Sequence, residues 1–175
     1  MTKKTDIFVA IDTQSQENAK KLIGQLNNKH CGIKIGKELF TSCGPEIVQW
    51  VKGKGFEVFL DLKFHDIPNT VMKACEAASR MNADIINVHT LGGKEMMSAA
   101  KNSVSNQQIK LIGVTLLTSH DKNFMTEVGL SGSIDDCVKK LAINAAECGL
   151  DGIVCAALDI PNIRKHLPSN FIFIT

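Results

Sequence analysis

Two charged residues directly follow an apolar stretch of the chain. The stretch Phe56 to Leu60 reads FEVFL, and Asp61 and Lys63 come just after it. Because side chains alternate between the two faces of a β-strand, these two charges are predicted to point the same way. An ion pair at the end of a buried strand is costly to desolvate, so its presence indicates a functional site. Charges placed in this manner can stabilise a charge that develops on a substrate.

More polar residues fall at the ends of predicted strands. Lys34 lies in the apolar stretch CGIKIG, and Asp12 ends the stretch IFVAI. Two lysines and two aspartates from three strands form a balanced set, in which each charge offsets the desolvation of its neighbours. Two further strands end at His89 and Thr118. The complete strand-end set is Asp12, Lys34, Asp61, Lys63, His89 and Thr118.

Several of these residues also have a purely structural explanation. The Lys34 side chain could extend its ammonium to a solvated rim, and Asp12 could cap the first helix. For His89, packing is favoured over catalysis. The case for a site therefore depends on the convergence of several charges, since no single residue establishes it.

A metal site is the other reading of the charged stretch. Asp61, His65 and Asp66 carry atoms that could hold a divalent ion, but the Lys63 ammonium in their midst would repel it. The five histidines of the chain also lack the spacing of metal ligands. No metal ion is predicted.

A regular repeat of strands and helices positions the strand-end residues. Predicted strands begin near residues 6, 31, 56, 83 and 109, so their spacing is 25 to 27 residues. Nearly continuous apolar strands alternating with helices indicate a parallel sheet, and so regular a repeat favours a TIM (β/α)8 barrel over a doubly wound sheet. In that fold the carboxyl ends of the strands face one active site. The predicted strands span residues 6–11, 31–36, 56–60, 84–89, 110–117, 151–156 and 171–174.

The helices between these strands have recognisable starts. Thr13 is predicted to cap the first helix, with Gln16 at the capping-box position. Gly44 and Pro45 are predicted to start the next helix, and Pro68 the one after the charged stretch. A polar insert follows residue 119, and helices are predicted from about 134 to 148 and 160 to 166.

Length and composition limit the possible classes of protein. A chain of 175 residues is predicted to form a single domain, residues 1–175, of which about seven barrel strands are covered. The net charge of +2 gives no general attraction for nucleic acid or a membrane surface. Six cysteines without a CxxC pair are read as reduced, mostly buried thiols. With no apparent leader peptide, the protein is expected to be cytoplasmic.

The motifs of the chain resemble those of one enzyme family. The run DLKFHDIPNT at 61–70 is similar to the signature of the bacterial orotidine 5′-phosphate decarboxylases, which convert orotidine monophosphate to uridine monophosphate in pyrimidine synthesis. Further similar motifs, in chain order, are VAID at 9–12, IKIGKELFTSCGP at 33–45, NVHTLGG at 87–93, VTLLTS at 114–119 and CGLDGIVC at 148–155.

This resemblance implies roles for particular residues and no cofactor. Lys63 would donate the proton, within a charged array formed by Lys34, Asp61, Lys63 and Asp66. Asp12 and Lys34 would bind the ribose hydroxyls of the nucleotide, and Thr118 would contact the pyrimidine. The resemblance also implies a homodimer with shared sites, in which Asp66, Ile67 and Thr70 reach the site of the neighbouring subunit.

The resemblance also implies more chain than the 175 residues. Family members continue into a loop and an eighth strand that grip the substrate phosphate, so this polypeptide is expected to be C-terminally incomplete, poorly active and prone to aggregate. Two alternatives stay open. One is a magnesium-dependent sugar-phosphate decarboxylase or aldolase of the same superfamily, which shares the Asp-x-Lys-x-x-Asp pattern. The other is a catalytically silent barrel that serves only for dimerisation or ligand binding.

Overall fold

Seven parallel strands form one sheet in the part of the chain that the structure describes. The computed structural model describes residues 7–104, 108–117, 119 and 122–175. Each strand pairs with the next in chain order, without the reversal of a doubly wound sheet. The predicted α/β class and TIM barrel, of which the chain covers about seven strands, are therefore confirmed. The strands are β1 (Phe8–Ala10), β2 (Gly32–Gly36), β3 (Val58–Phe64), β4 (Ile85–His89), β5 (Lys110–Val114), β6 (Gly152–Val154) and β7 (Ile172–Ile174).

Helices lie between the strands and cover one face of the sheet. No helix within the described ranges is long and apolar enough to cross a membrane. Short 3₁₀ turns precede α5 and flank α8. The helices are α1 (Gln16–Ile23), α2 (Lys37–Cys43), α3 (Glu46–Gly53), α4 (Pro68–Ser79), α5 (Gly93–Val104), α6 (Lys122–Glu127), α7 (Ile134–Glu147) and α8 (Ile160–Ile163).

Alternation along the strands separates two apolar layers. Outward residues such as Leu60 and Ile86 pack in the main core against the helices. Inward residues such as Phe59, Ile85 and Ile112 form a smaller cluster on the other face. Gly32 is required in this inner layer, because a Cβ there would lie 2.5 Å from the Phe8 ring. The sheet is thus apolar on both faces below the strand ends, as expected for a barrel.

Two details of the predicted elements are corrected. The cap of α1 is Ser15 and not Thr13. The Thr13 hydroxyl accepts a hydrogen bond from the Ser15 N–H and so forms a turn before the helix, and the Ser15 side chain accepts from the Asn18 N–H. The strand predicted over 110–117 ends at Val114. The starts of α3 and α4 are confirmed, since Pro45 precedes α3 and Pro68 opens α4. Two short helices, α2 and α6, were missed because neither is long enough to show an apolar period.

Two aspartates form hydrogen bonds that link helices to the amino-terminal ends of the strands. Asp84 Oδ2 accepts hydrogen bonds from Lys52 Nζ in α3 and from the Val58 N–H, both at 2.6 Å. Asp151 Oδ2 repeats the arrangement, with Lys101 Nζ of α5 at 2.7 Å and the Leu111 N–H at 2.8 Å. Each carboxylate therefore joins a helix to the starts of neighbouring strands, at the end of the sheet opposite the carboxyl ends.

Replacing Asp84 by alanine is expected to lower the free energy of unfolding by about 1–2 kcal/mol, because the Val58 N–H and the Lys52 ammonium lose a shared acceptor. Urea denaturation measures the change. The matched control is Lys94→Ala, which breaks a pair with Glu147 whose side chains are both 56% exposed, and which should change the free energy of unfolding much less than Asp84→Ala does. Equal losses in the two variants would contradict this role of Asp84.

All six cysteines lie in the described part of the chain, and none forms a disulfide. Burial raises the pKa of the Cys75 thiol to about 12 and that of Cys155 to about 11, the latter also through the nearby Asp159 carboxylate. Cys31, Cys75 and Cys155 are buried, and the other three are intermediate in exposure. The expectation of free, mostly buried thiols is therefore confirmed only in part.

Candidate active site

Three charged side chains from neighbouring strands meet at the carboxyl ends of β2 and β3. Lys34 is brought beside β3 by the parallel register, which pairs Gly36 with Asp61. The Asp61 carboxylate lies 2.6 Å from Lys63 Nζ and 3.4 Å from Lys34 Nζ. The structure thus brings Lys34, Asp61 and Lys63 together, as the residues at the predicted strand ends indicated.

Asp61 is the buried centre of this cluster. Its side chain is 10% exposed, whereas the side chains of Lys34 and Lys63 are each 26% exposed. Burial alone raises the pKa of the Asp61 carboxyl. Hydrogen bonds from Lys63 and Asn87 and the positive charges of Lys63 and Lys34 outweigh that effect, so the pKa lies below its usual value. Asp61 is therefore ionised at neutral pH, with two ammonium groups beside it.

Asn87 is a member of the cluster that the sequence analysis did not single out. It lies in β4, is completely buried, and its Nδ2 donates to Asp61 Oδ1 at 2.6 Å. Its Oδ1 accepts from the Lys63 N–H at 2.7 Å. The signal available in the sequence was a lone amide in the middle of the apolar strand IINVH, a position where an amide must find buried partners.

A cavity of about 600 Å³ opens directly above the charged cluster. Asp12 borders it from the end of β1, and a Cβ on Gly36 would lie 3.7 Å from both Asp12 Oδ1 and Lys34 Nζ. Apolar side chains from β5 and β6 form the opposite wall. The lining comprises Asp12, Lys34, Gly36, Lys37, Asp61, Lys63, Val114, Leu116, Leu117, Ser119, Val154, Cys155 and Thr175.

Three other predicted site residues lie away from this cavity. Asp66, Ile67 and Thr70 are exposed around the start of α4 and are not among the lining residues. Asp66 Oδ1 accepts from the Ile67 N–H at 2.7 Å, so its carboxylate turns back on its own backbone. The fourth, Thr118, lies outside the described residues.

His65 and His89 do not join the cluster. The His89 ring lies 5.5 Å from the His65 ring, centroid to centroid, and neither residue lines the cavity. The interpretation of His89 as a packing residue agrees with this position. In the described ranges, no three His, Cys, Asp or Glu residues are grouped so that they could hold a metal ion.

The arrangement of charges suits an anionic substrate on which negative charge develops near Lys63. Two ammonium groups and one ionised carboxylate leave the cluster with a net positive charge, which attracts an anion. The Lys63 ammonium carries a proton and lines the cavity, so it can both stabilise a developing negative charge and protonate it. The apolar wall opposite lowers the local dielectric, which strengthens these interactions.

Comparisons with known proteins point to one family. The profile of the "Orotidine 5'-phosphate decarboxylase / HUMPS family" matches residues 5–175. The chain is similar to the orotidine 5′-phosphate decarboxylase of Nitrosospira multiformis, with 46% identity over 169 residues that cover 97% of this chain and 71% of the relative. The enzyme of the same name from Nitrosococcus oceani is 44% identical over 174 residues, covering 98% and 75% of the two chains.

Solved structures agree with the sequence matches. The crystal structure of orotidine 5′-phosphate decarboxylase from Lactobacillus acidophilus superposes with a TM-score of 0.93 at 29% identity, covering 98% of this chain and 80% of that one. An uncharacterised conserved protein from Geobacillus kaustophilus gives a TM-score of 0.91 at 36% identity, covering 95% and 81%. The fold and the family assignment therefore come from independent comparisons.

Proposed function

The chain belongs to the orotidine 5′-phosphate decarboxylase / HUMPS family, and from this membership we propose that its Lys34, Asp61 and Lys63 cluster is the catalytic centre. The reaction is the decarboxylation of orotidine 5′-monophosphate to uridine 5′-monophosphate, in pyrimidine synthesis. The observation that carries the assignment of the site is the Lys63 ammonium, held 2.6 Å from a buried carboxylate at the edge of the cavity.

Lys63 acts on the carbon that loses CO₂. The bond between C6 and the carboxylate carbon breaks, and its electron pair stays on C6, where the pyrimidine offers little delocalisation. The Lys63 ammonium stabilises that negative charge and then transfers a proton from Nζ to C6, and the neutral amine regains a proton from water. One charge pair at about 4 Å contributes about 4 kcal/mol at an effective dielectric near 20, or roughly a thousandfold in rate.

The other cluster residues bind and orient the substrate. Asp61 lies close to the position of the departing carboxylate, so repulsion between the two anions is relieved as CO₂ leaves. Asp12 and Lys34 hydrogen-bond the ribose hydroxyls from the β1 and β2 side of the cavity, where both side chains lie close to Gly36. Thr118 contacts the pyrimidine. The proposed catalytic residues are therefore Asp61 and Lys63 together with Lys34 and Asp66.

A direct assay tests the reaction against its alternatives. Loss of orotidine monophosphate is followed by ultraviolet absorbance, with and without a metal chelator. The family description names a second group, HUMPS, but the relatives compared above are named only as decarboxylases of orotidine 5′-phosphate. Turnover of orotidine monophosphate that the chelator leaves unchanged supports the proposal. Turnover of a sugar phosphate alone, or binding without turnover, would contradict it.

The site is completed by a second copy of the chain. We propose a homodimer in which Asp66, Ile67 and Thr70 reach the cavity of the partner. The supporting observation is Ile67, a large apolar side chain that is 67% exposed at the start of α4. Asp66 and Thr70 flank it and are also exposed, so all three are available to a second subunit. In the proposed dimer the partner subunit would cover the Ile67 side chain and remove its apolar surface from water.

Replacing Ile67 by glutamate is expected to weaken the dimer by about 30-fold or more, because a charge takes the place of a buried apolar contact. Analytical ultracentrifugation measures the dissociation constant, and turnover per subunit should fall along with dimerisation. Leu22→Glu is the control, since Leu22 is 46% exposed on α1 and is not part of the proposed interface. A fully active Ile67→Glu monomer would rule out shared sites.

Two further features stay predictions. The protein is proposed to act in the cytoplasm, without nucleic-acid or membrane partners, as expected for an enzyme of nucleotide synthesis. Residues 1–175 are proposed to form one barrel domain. Cell fractionation followed by immunodetection tests the first, and a single cooperative unfolding transition tests the second.

A further inference from the structure

The backbone of Lys63 has a conformation that is unusual for lysine. Its φ angle is +51°, in the left-handed region that residues with a Cβ rarely adopt. Among the described residues other than glycine, only Asn82 shares a positive φ, and asparagine tolerates it well. A strained backbone at the proposed proton donor persists only if neighbouring groups hold it there.

A bulge in β3 creates this conformation. Leu60 pairs with Ile86 and Phe64 with Val88, so four steps along β3 correspond to only two steps along β4. The extra residues remove the Lys63 N–H from the regular ladder. That N–H donates instead to the Asn87 side chain, through Oδ1 at 2.7 Å.

The other end of the same amide holds the carboxylate of the cluster. Asn87 Nδ2 donates to Asp61 Oδ1 at 2.6 Å, and that oxygen also accepts from Lys63 Nζ at 2.6 Å. A backbone N–H can only donate and an ionised carboxylate can only accept, so the orientation of the amide is determined by its partners. Because Asn87 is fully buried, water cannot replace it.

We propose that Asn87 is a positioning residue of the decarboxylation, which locks the backbone of Lys63 and the Asp61 carboxylate together so that the ammonium faces the reacting carbon. The inference rests on the proposed function of Lys63. Asn87 does not line the cavity, so it acts through its two partners and not on the substrate. An amide is required because the position needs one acceptor and one donor at fixed separation.

The test compares the Asn87→Asp variant of the full chain with the parent protein. The variant keeps an acceptor for the Lys63 N–H but loses the donor to Asp61 and sets two carboxylates against each other. We expect kcat to fall about 100-fold, the effect of a misplacement of about 1 Å, with KM changed less than about threefold. Binding of uridine monophosphate should be unchanged, because the cavity lining is intact.

A pH profile separates positioning from general damage. Repulsion from Asp61 raises the pKa of the introduced carboxyl, and its protonated form again donates a hydrogen bond. The activity of Asn87→Asp should therefore recover as the pH falls, relative to the parent protein. Lys34 and Lys63 face the cluster from β2 and β3, His89 shares the inward face of β4, and Ile112 and Val114 face it from β5. These groups are present in both proteins, so a difference between the two pH profiles reports the introduced carboxyl.

Two more variants make the outcome decisive. Ser79→Ala removes a half-buried hydrogen bond to the Glu76 carbonyl at the end of α4, outside the cavity lining, and should leave kcat unchanged. If Asn87→Asp does not fold, Asn87→Ser, whose hydroxyl cannot span both partners, should show the loss in kcat without the acid recovery. Full kcat in either Asn87 variant would overturn the positioning role. If Lys63→Ala were itself active, the proposed function would fail instead.

Discussion

Replacing Lys63 by alanine is expected to lower kcat by at least three orders of magnitude. The substitution removes the only group that both stabilises the C6 carbanion and supplies its proton in the proposed mechanism. The electrostatic part alone is about 4 kcal/mol, which corresponds to roughly a thousandfold. Steady-state turnover of orotidine monophosphate, followed by its absorbance change, measures the loss.

The fold should survive this substitution. Lys63 is half-buried at the mouth of the cavity and does not belong to either apolar layer, so thermal unfolding should change by only a few degrees. Lys94→Ala removes a lysine from an exposed pair outside the cavity and should retain full turnover. Substantial activity in Lys63→Ala would remove this lysine from the role of proton donor.

Replacing Asp61 by asparagine is expected to lower kcat by about 100-fold or more, because Lys63 and Lys34 lose the carboxylate that holds them. The same change relieves repulsion in the ground state, so orotidine monophosphate should bind more tightly relative to uridine monophosphate, which lacks the carboxylate. Isothermal titration of both nucleotides gives the ratio. An unchanged ratio would show that Asp61 only positions the lysines.

Acid denaturation gives a second measure of the Asp61→Asn variant. The pKa of Asp61 is lower in the folded protein than its usual value, so its ionisation favours folding. That contribution is fully present at neutral pH and is lost as the pH falls through the folded-state pKa, in the range below about pH 4. The parent protein should therefore lose more stability on acidification than the variant. Equal acid sensitivity of the two proteins would contradict the role of Asp61 as a stabilising ionised group.

Much of the site was predictable because its residues lie at strand ends. Alternation along β3 predicted that Asp61 and Lys63 share a face, and the structure places them 2.6 Å apart. The regular repeat predicted that Asp12 and Lys34 belong to the same edge, and both line the cavity. Local pattern sufficed here since parallel strands in a barrel end at one rim whatever their exact register.

Other features could not be predicted in this way. Lys37 and Cys155 line the cavity, but nothing in their local pattern distinguishes them from surface or core residues. Threonine is a residue type that often caps a helix, which made Thr13 a plausible cap. Its hydroxyl instead accepts a hydrogen bond from the Ser15 N–H, and α1 begins at Gln16. Choices between two nearby hydrogen bonds of similar strength depend on the path of the chain, and residue type does not determine that path.

By itself, the sequence determined the barrel class and the set of charges at the strand ends, since both follow from periodicity and residue type, and its motifs showed the resemblance to the family. Only the tertiary structure decided which contacts fix the positions of these charged side chains. The left-handed backbone of Lys63 and the two hydrogen bonds of Asn87 depend on the register between β3 and β4, across sequence separations of 24 and 26 residues. Register between strands comes from packing of the entire sheet, so no local stretch of sequence contains it.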